Sequence, residues 1–301
     1  MPTSMPGGTL RSTHAFGVPT ASIKNHLYAL GDGARIFTSP WIVTKPELRH
    51  YAAIYLTARG APVTLTLDGT TAPYQAAALK QMTERAVRAQ DVQVLLFQLD
   101  PLHRHFARFR AIARPGLLAL DRQRFARLDT QLQAAYAGRL TVAQASELFD
   151  DVVDTVLPLL PPVKDLDARV LKVIELLRQD HNSRLDRLAA AVDLSYDRLS
   201  HLFAESMGLP LRTYQSWLKL YTAITLVRAD AKLRLTDVAH AAGFADSSHL
   251  CKAFVQAHGA PPSYFLDSDY VTIISAGRGH RLSTARELLG ATTRRADEVL
   301  V

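Results

Sequence analysis

Leu188-Ala-Ala-Ala-Val-Asp-Leu194 recurs fifty residues later as Val238-Ala-His-Ala-Ala-Gly-Phe244, and this pair decides the reading of the C-terminal half. Beyond it the offset becomes 51, aligning Leu199 with Leu250, Phe203 with Phe254, Gly208 with Gly259, Pro210 with Pro261 and Tyr214 with Phe265. Each copy predicts a helix, a tight turn, a second helix and a Gly-x-Pro stop. Small Ala189 and Ala239 let the second helix cross the first closely, and an i, i+4 stripe (Leu199 and Phe203, or Leu250 and Phe254) pins it. Gly243 suits a turn position of positive φ, which Asp193 can also visit, and Ser195 and Asp246 are expected N-caps. Thr213 to Arg228 reads as a linking helix. At 1.5 Å per residue it spans about 24 Å, enough with its flanks to set two recognition helices one DNA turn, ~34 Å, apart.

The second helices leave Asp197, Arg198, Ser200 and His201 exposed in the first unit, and Ser247, Ser248, His249, Cys251 and Lys252 in the second. Such side chains reach base edges or phosphates, and these nine are the candidate DNA-binding residues. Residues 163–270 hold 13 Lys and Arg against 13 Asp and Glu, so the net charge of +7 is no argument for this segment. Within it, 163–234 carries 12 basic and 9 acidic residues and 235–270 carries 1 and 4, so phosphate neutralisation is expected mainly from the first unit and linker.

The run Gly243-Phe-Ala-Asp-Ser-Ser-His-Leu-Cys-Lys-Ala-Phe254, followed by Gly259-Ala-Pro-Pro-Ser-Tyr264, resembles the signature of the AraC/XylS family of bacterial transcription regulators. The first unit, Leu188 to Pro210, and the linker run Leu218-Lys-Leu-Tyr-Thr-Ala223 fit it as well. Two departures stand out, Lys219 and His201, where the family commonly has Arg. The resemblance implies promoter DNA as partner, RNA polymerase as a second partner, a homodimer and an unknown small-molecule effector. For residues 1–160 it implies a cupin-like barrel with helices that senses and dimerises.

Upstream of the repeat the chain is strand-like, with Tyr51 to Thr57, the alternating Val63-Thr-Leu-Thr-Leu67 and Val92 to Phe97, and Asp68-Gly69 is a hairpin-type turn. These suggest a small antiparallel barrel, with Tyr51, Ile54, Leu65 and Phe97 as candidate effector-binding residues. After Pro101 the period is helical. Leu148, Phe149, Val152, Val153, Val156 and Leu157 form a wide stripe, a dimer helix or a cover for the barrel. Pro158, Pro161 and Pro162 mark a boundary.

The expected fold is therefore α+β, a cupin-like β-barrel with helices over 1–160, an all-α double helix-turn-helix over 161–270 and a C-terminal tail over 271–301. No apolar run approaches the ~20 residues of a membrane span, and the start has no apolar core of signal-peptide type, so a cytoplasmic protein is expected. The lone Cys251 excludes an internal disulfide. No catalytic pair or nucleotide loop emerges, and no cofactor is expected. A metal-dependent cupin enzyme carrying a DNA-binding domain is the competing class, resting on His50, His103 and His105, but the spacing of these histidines favours structural roles and no metal.

Overall fold

The computed structural model describes residues 25–59, 61–230, 233–259, 262 and 271–275. Among the described residues ten strands form one mixed sheet, nine from the N-terminal half and one, β10, from the C-terminal end. They are β1 (Asn25–Gly31), β2 (Ala34–Val43), β3 (Glu47–Arg49), β4 (Ala52–Thr57), β5 (Val63–Leu67), β6 (Thr70–Tyr74), β7 (Ala76–Leu79), β8 (Thr83–Leu99), β9 (Leu117–Ala119) and β10 (Val271–Ser275). The path runs β10-β1-β2-β8-β4-β7-β9, with β3 and β5 also on β8 and β6 on β5. Asp68 and Gly69 both take positive φ and close the β5–β6 hairpin, as their identities require.

The pairing path does not close among the described residues, so the expected barrel is an open one. It is nonetheless curled. Leu27, Phe37, Tyr55, Leu65, Val94 and Leu96 belong to a buried cluster drawn from the sheet, which a flat sheet without a covering layer could not bury. The opposite face carries Ile36, Ile54 and Phe97, packed beneath helices. A bulge where β2 meets β8, with Asp91 at φ +56°, flips the parity of β8. Odd positions before it (Val87, Ala89) and even positions after it (Val92, Val94, Leu96) therefore share the interior. The segment read as a tail begins as β10, parallel to β1, with Val271 in the interior cluster.

Helices α1 (Asp129–Tyr136) and α2 (Val142–Val156) cover the sheet, the latter started by a capping box between Thr141 and Gln144. Leu148, Phe149, Val152, Val153 and Val156 are all buried in the chain's own core. Of the stripe's two readings, a dimer helix or a cover for the barrel, the structure supports the cover: its apolar face is spent against β1 and β2. The C-terminal half contains α3 (Ala168–Gln179), α4 (Leu185–Ala190), α5 (Tyr196–Met207), α6 (Leu211–Ala229), α7 (Leu235–Ala241) and α8 (Ser247–His258). No described helix is long and apolar enough to cross a membrane.

His103 follows the sheet and is buried edge-on against Phe149, ring centroids 5.4 Å apart, its Nδ1 accepting the His105 N–H at 3.2 Å. Burial, then the charges of His105 and Arg104, pull its pKa down to about 4. The unfolded chain, near 6.5, takes up this proton first, so His103 withdraws stability as pH falls from 6.5 to 4. Replacing it with Asn, whose Oδ1 can keep the backbone bond, is expected to flatten that acid limb in denaturant titrations across pH. A limb as steep as the wild type's would refute the assignment.

Candidate nucleic-acid interface

The two units are superposable in their local chemistry. In the first, Leu194 N–H donates to Ala189 O at 3.0 Å; in the second, Phe244 N–H donates to Ala239 O at 2.8 Å. Asp193 has φ +54° and Gly243 φ +82°, the left-handed turn position expected of both. Ser195 caps α5 by accepting from Arg198 N–H, and Asp246 caps α8 by accepting from His249 N–H at 2.7 Å. Both recognition helices have twelve residues and end on a left-handed glycine, Gly208 or Gly259. The residue gained between the copies is Ala245, just before the second cap.

The linking helix α6 is longer than expected, nineteen residues or about 28 Å. Its Leu211, Tyr214 and Leu218 enter the core of the first unit, while Trp217, Leu220, Ala223 and Leu226 enter that of the second. The first unit's core is continuous with the helix-covered face of the sheet, whereas the second has its own.

Asp197, Arg198 and His201 are exposed on α5, and Ser248, His249 and Lys252 on α8; Ser200, Ser247 and Cys251 are half-buried. The 51-residue offset places Arg198 with His249 and His201 with Lys252 at equivalent positions. His249 is partly engaged, its ring edge-on to Phe244 at 5.4 Å.

Sequence spacing did not foresee how both readers are seated. Gln81 Nε2 donates to Met207 O at 2.9 Å, and a Cβ on Gly208 would collide with that amide. A Cβ on Gly259 would stand 2.6 Å from an Arg49 Nη. Each recognition helix thus rests its C-terminus on a side chain of the sheet domain. Arg35 adds to this, donating to His258 Nδ1 at 2.8 Å and to Asp100 Oδ1 at 2.6 Å, over the Trp217 ring. Lys219, one of the two departures, donates to Gly243 O at 2.9 Å and so braces the second turn. Burial pulls its ammonium below the usual lysine range, with Asp180 opposing. A cleft of about 1160 Å³, bordered by Asp32, His103, Asp150, His181 and Tyr221, separates the sheet domain from the readers.

The four effector candidates are all buried but do not converge. Tyr51 and Leu65 face the sheet's interior, while Ile54 and Phe97 face the helices, Phe97 at 6.0 Å from Phe149. The physical reason is the alternation of β4 together with the bulge in β8. His103 and His105 are neighbours, with ring centroids 5.7 Å apart, and no group of three or more metal-ligating side chains assembles among the described residues.

A helix-turn-helix domain family matches residues 188–268. Among solved structures the chain is similar to ToxT from Vibrio cholerae O395, at 13% identity and a TM-score of 0.49, over 76% of this chain and 95% of that one. It is similar to the AraC-like transcriptional activator CuxR at 14% identity and a TM-score of 0.35, over 61% and 74%. The C-terminal domain of the two-component response regulator yesN from Fusobacterium nucleatum aligns at 24% identity and a TM-score of 0.27, over 31% and 90%. No curated protein sequence matches. Residues 188–268 are a helix-turn-helix domain, in keeping with the two capped units described above.

Proposed function

We propose that residues 161–270 read promoter DNA through α5 and α8, with Arg198, His201 and Lys252 making the principal side-chain contacts, and that the sheet domain regulates how these helices are presented. The observation that carries this reading is the double seat: both recognition helices end against side chains of the sheet domain while their capped N-terminal turns stay exposed. A capped helix N-terminus offers N–H donors to phosphate, and the seats let a change in the sheet domain reach both readers. No bond is made or broken in this function. A homodimer on paired sites and contact with RNA polymerase belong to the same reading, but the apolar stripe of α2 does not supply the dimer seam.

The test is equilibrium binding to operator and single-base variants across a salt series. Arg198→Ala is expected to cost about 1–3 kcal/mol, with relaxed preference at one base pair if it meets a guanine. Lys252→Ala lowers the salt slope by about one unit if it meets phosphate. Ser247→Ala and Ser248→Ala leave the slope nearly unchanged. A flattened slope from the serine changes, with Arg198→Ala silent, would reverse the roles assigned to the two units.

A further inference from the structure

The two helix-turn-helix units meet at a polar joint as well as along the apolar faces of α6. Gln215 and Lys219 stand one turn apart on the same side of α6. Gln215 Nε2 donates to His181 O and to Ser183 O, both at 2.9 Å, and so holds the loop between α3 and α4 that leads into the first unit. Lys219 Nζ donates to Gly243 O at 2.9 Å, in the turn ahead of α8. The loop and the turn also meet directly: the Asn182 amide lies where a Cβ of Gly243 would stand, and the His181 ring faces the Ala242 backbone. Asp180 fixes the loop from within, accepting the Asn182 N–H at 3.0 Å and the Ser183 hydroxyl at 3.1 Å.

Joint and seat grip opposite ends of the second unit. The seat at Arg35 and Arg49 meets the C-terminus of α8, at His258 and Gly259, whereas the joint meets the turn that leads into the Asp246 cap. A twelve-residue helix held only at its C-terminus can tilt, and over a length of about 18 Å each 10° moves its reading end by about 3 Å. One base-pair step is about 3.4 Å along the duplex and about 35° around it. Apolar packing of Trp217, Leu220 and Leu226 keeps the second unit on α6 but has little directionality, so the directional bonds of the joint fix its rotation.

We propose that this joint sets the separation of the two reading helices and thereby the half-site spacing the chain accepts, with Lys219 and Asn182 as positioning residues that touch no base. This rests on the reading of α5 and α8 as DNA readers. The half-buried ammonium of Lys219 makes its bond to the Gly243 carbonyl charge-assisted, and Asn182 leaves the second turn no room to move toward α3. Spacing is then a property of the protein before DNA arrives.

The experiment measures the reader separation by dipolar electron spin resonance on the full chain without DNA. Nitroxides are placed at Asp197→Cys and Ser248→Cys in a Cys251→Ser background, since both positions are exposed near the N-termini of α5 and α8. One narrow distance distribution is expected, widened about twofold by Lys219→Met and by Asn182→Ala. Lys219→Arg, which can still donate to Gly243 O, should stay narrow. A second arm takes duplexes selected by the full chain from a random pool and inserts one base pair between the half-sites. The insertion is expected to cost wild type about tenfold in affinity and Lys219→Met only about threefold. The proposal is overturned if neither Lys219→Met nor Asn182→Ala widens the distribution, or if Lys219→Met weakens binding equally at every spacing. It is also overturned if Lys219→Met lowers the salt slope by about one unit with the spacing preference intact, since Lys219 would then meet phosphate. Should Lys219→Met misfold by circular dichroism, Asn182→Ala, at an exposed position, decides the distance arm. The resonance arm contains no DNA, so its failure leaves DNA reading standing. That reading fails separately if the full chain shows no salt-dependent binding to DNA.

Discussion

Phe203→Ala is expected to destabilise the protein by about 3–5 kcal/mol, while the same change at its repeat partner, Phe254→Ala, costs about half as much or less. Phe203 is fully buried on α5, edge-on to Tyr214 at 5.4 Å, in a core continuous with the covered face of the sheet. Phe254 is half-buried on α8 and only packs against the margin of the second unit's core. Deleting a ring inside a closed core leaves a cavity that the fixed sheet cannot fill, whereas a margin can relax or admit water. Denaturant unfolding of the two variants reads the difference, and amide exchange assigns it to each unit. Equal costs would show that the cores are not as separate as their packing indicates.

That asymmetry also shows what the chain's text discloses and what it hides. The reader units were legible because their information is local: capping residues three positions from their targets, apolar positions at i and i+4, and a turn residue able to take positive φ. Ser195, Asp246, Asp193 and Gly243 sit as their chemistry requires. The faces of the sheet were not legible. Every residue of β4 is buried, so alternation carries no signal there, and the bulge near Asp91 reverses parity in the middle of β8. Phe97 and Tyr51 thus look like one pocket in the sequence and stand on opposite faces. Arg85 is buried although it is charged, because the curl of the sheet makes its side an interior. Lys219 braces a carbonyl 24 residues away, a pairing that no spacing rule announces. The α2 stripe was visible, but its width could not say whether sheet or second copy would cover it.

The seat of the second reader supplies the other large effect. Arg35 donates to Asp100 at 2.6 Å and to His258 at 2.8 Å, with both members of the ion pair mostly out of water. Burial pushes the Asp100 carboxyl up to about 6, against the opposing pull of Arg35. Arg35→Met leaves that carboxylate buried without its cation, which is expected to cost about 3–5 kcal/mol at pH 7. The sign of its pH dependence follows. Losing Arg35 raises the folded pKa of Asp100 further above its unfolded value near 3.8, so the penalty is full above the folded pKa and is relieved as Asp100 takes up a proton. Relative to wild type, the variant therefore recovers stability as pH falls from 7 toward 5. Pairing the change with Asp100→Asn should restore most of the loss at pH 7, because an amide carries no charge to be orphaned, and the double-mutant cycle measures the coupling. Trp217 lies beneath the same guanidinium and edge-on to His258 at 5.4 Å, so its fluorescence reports whether α8 leaves its seat. A loss under about 1 kcal/mol that is flat with pH would mean that apolar packing, not this ion pair, holds the second reader to the sheet.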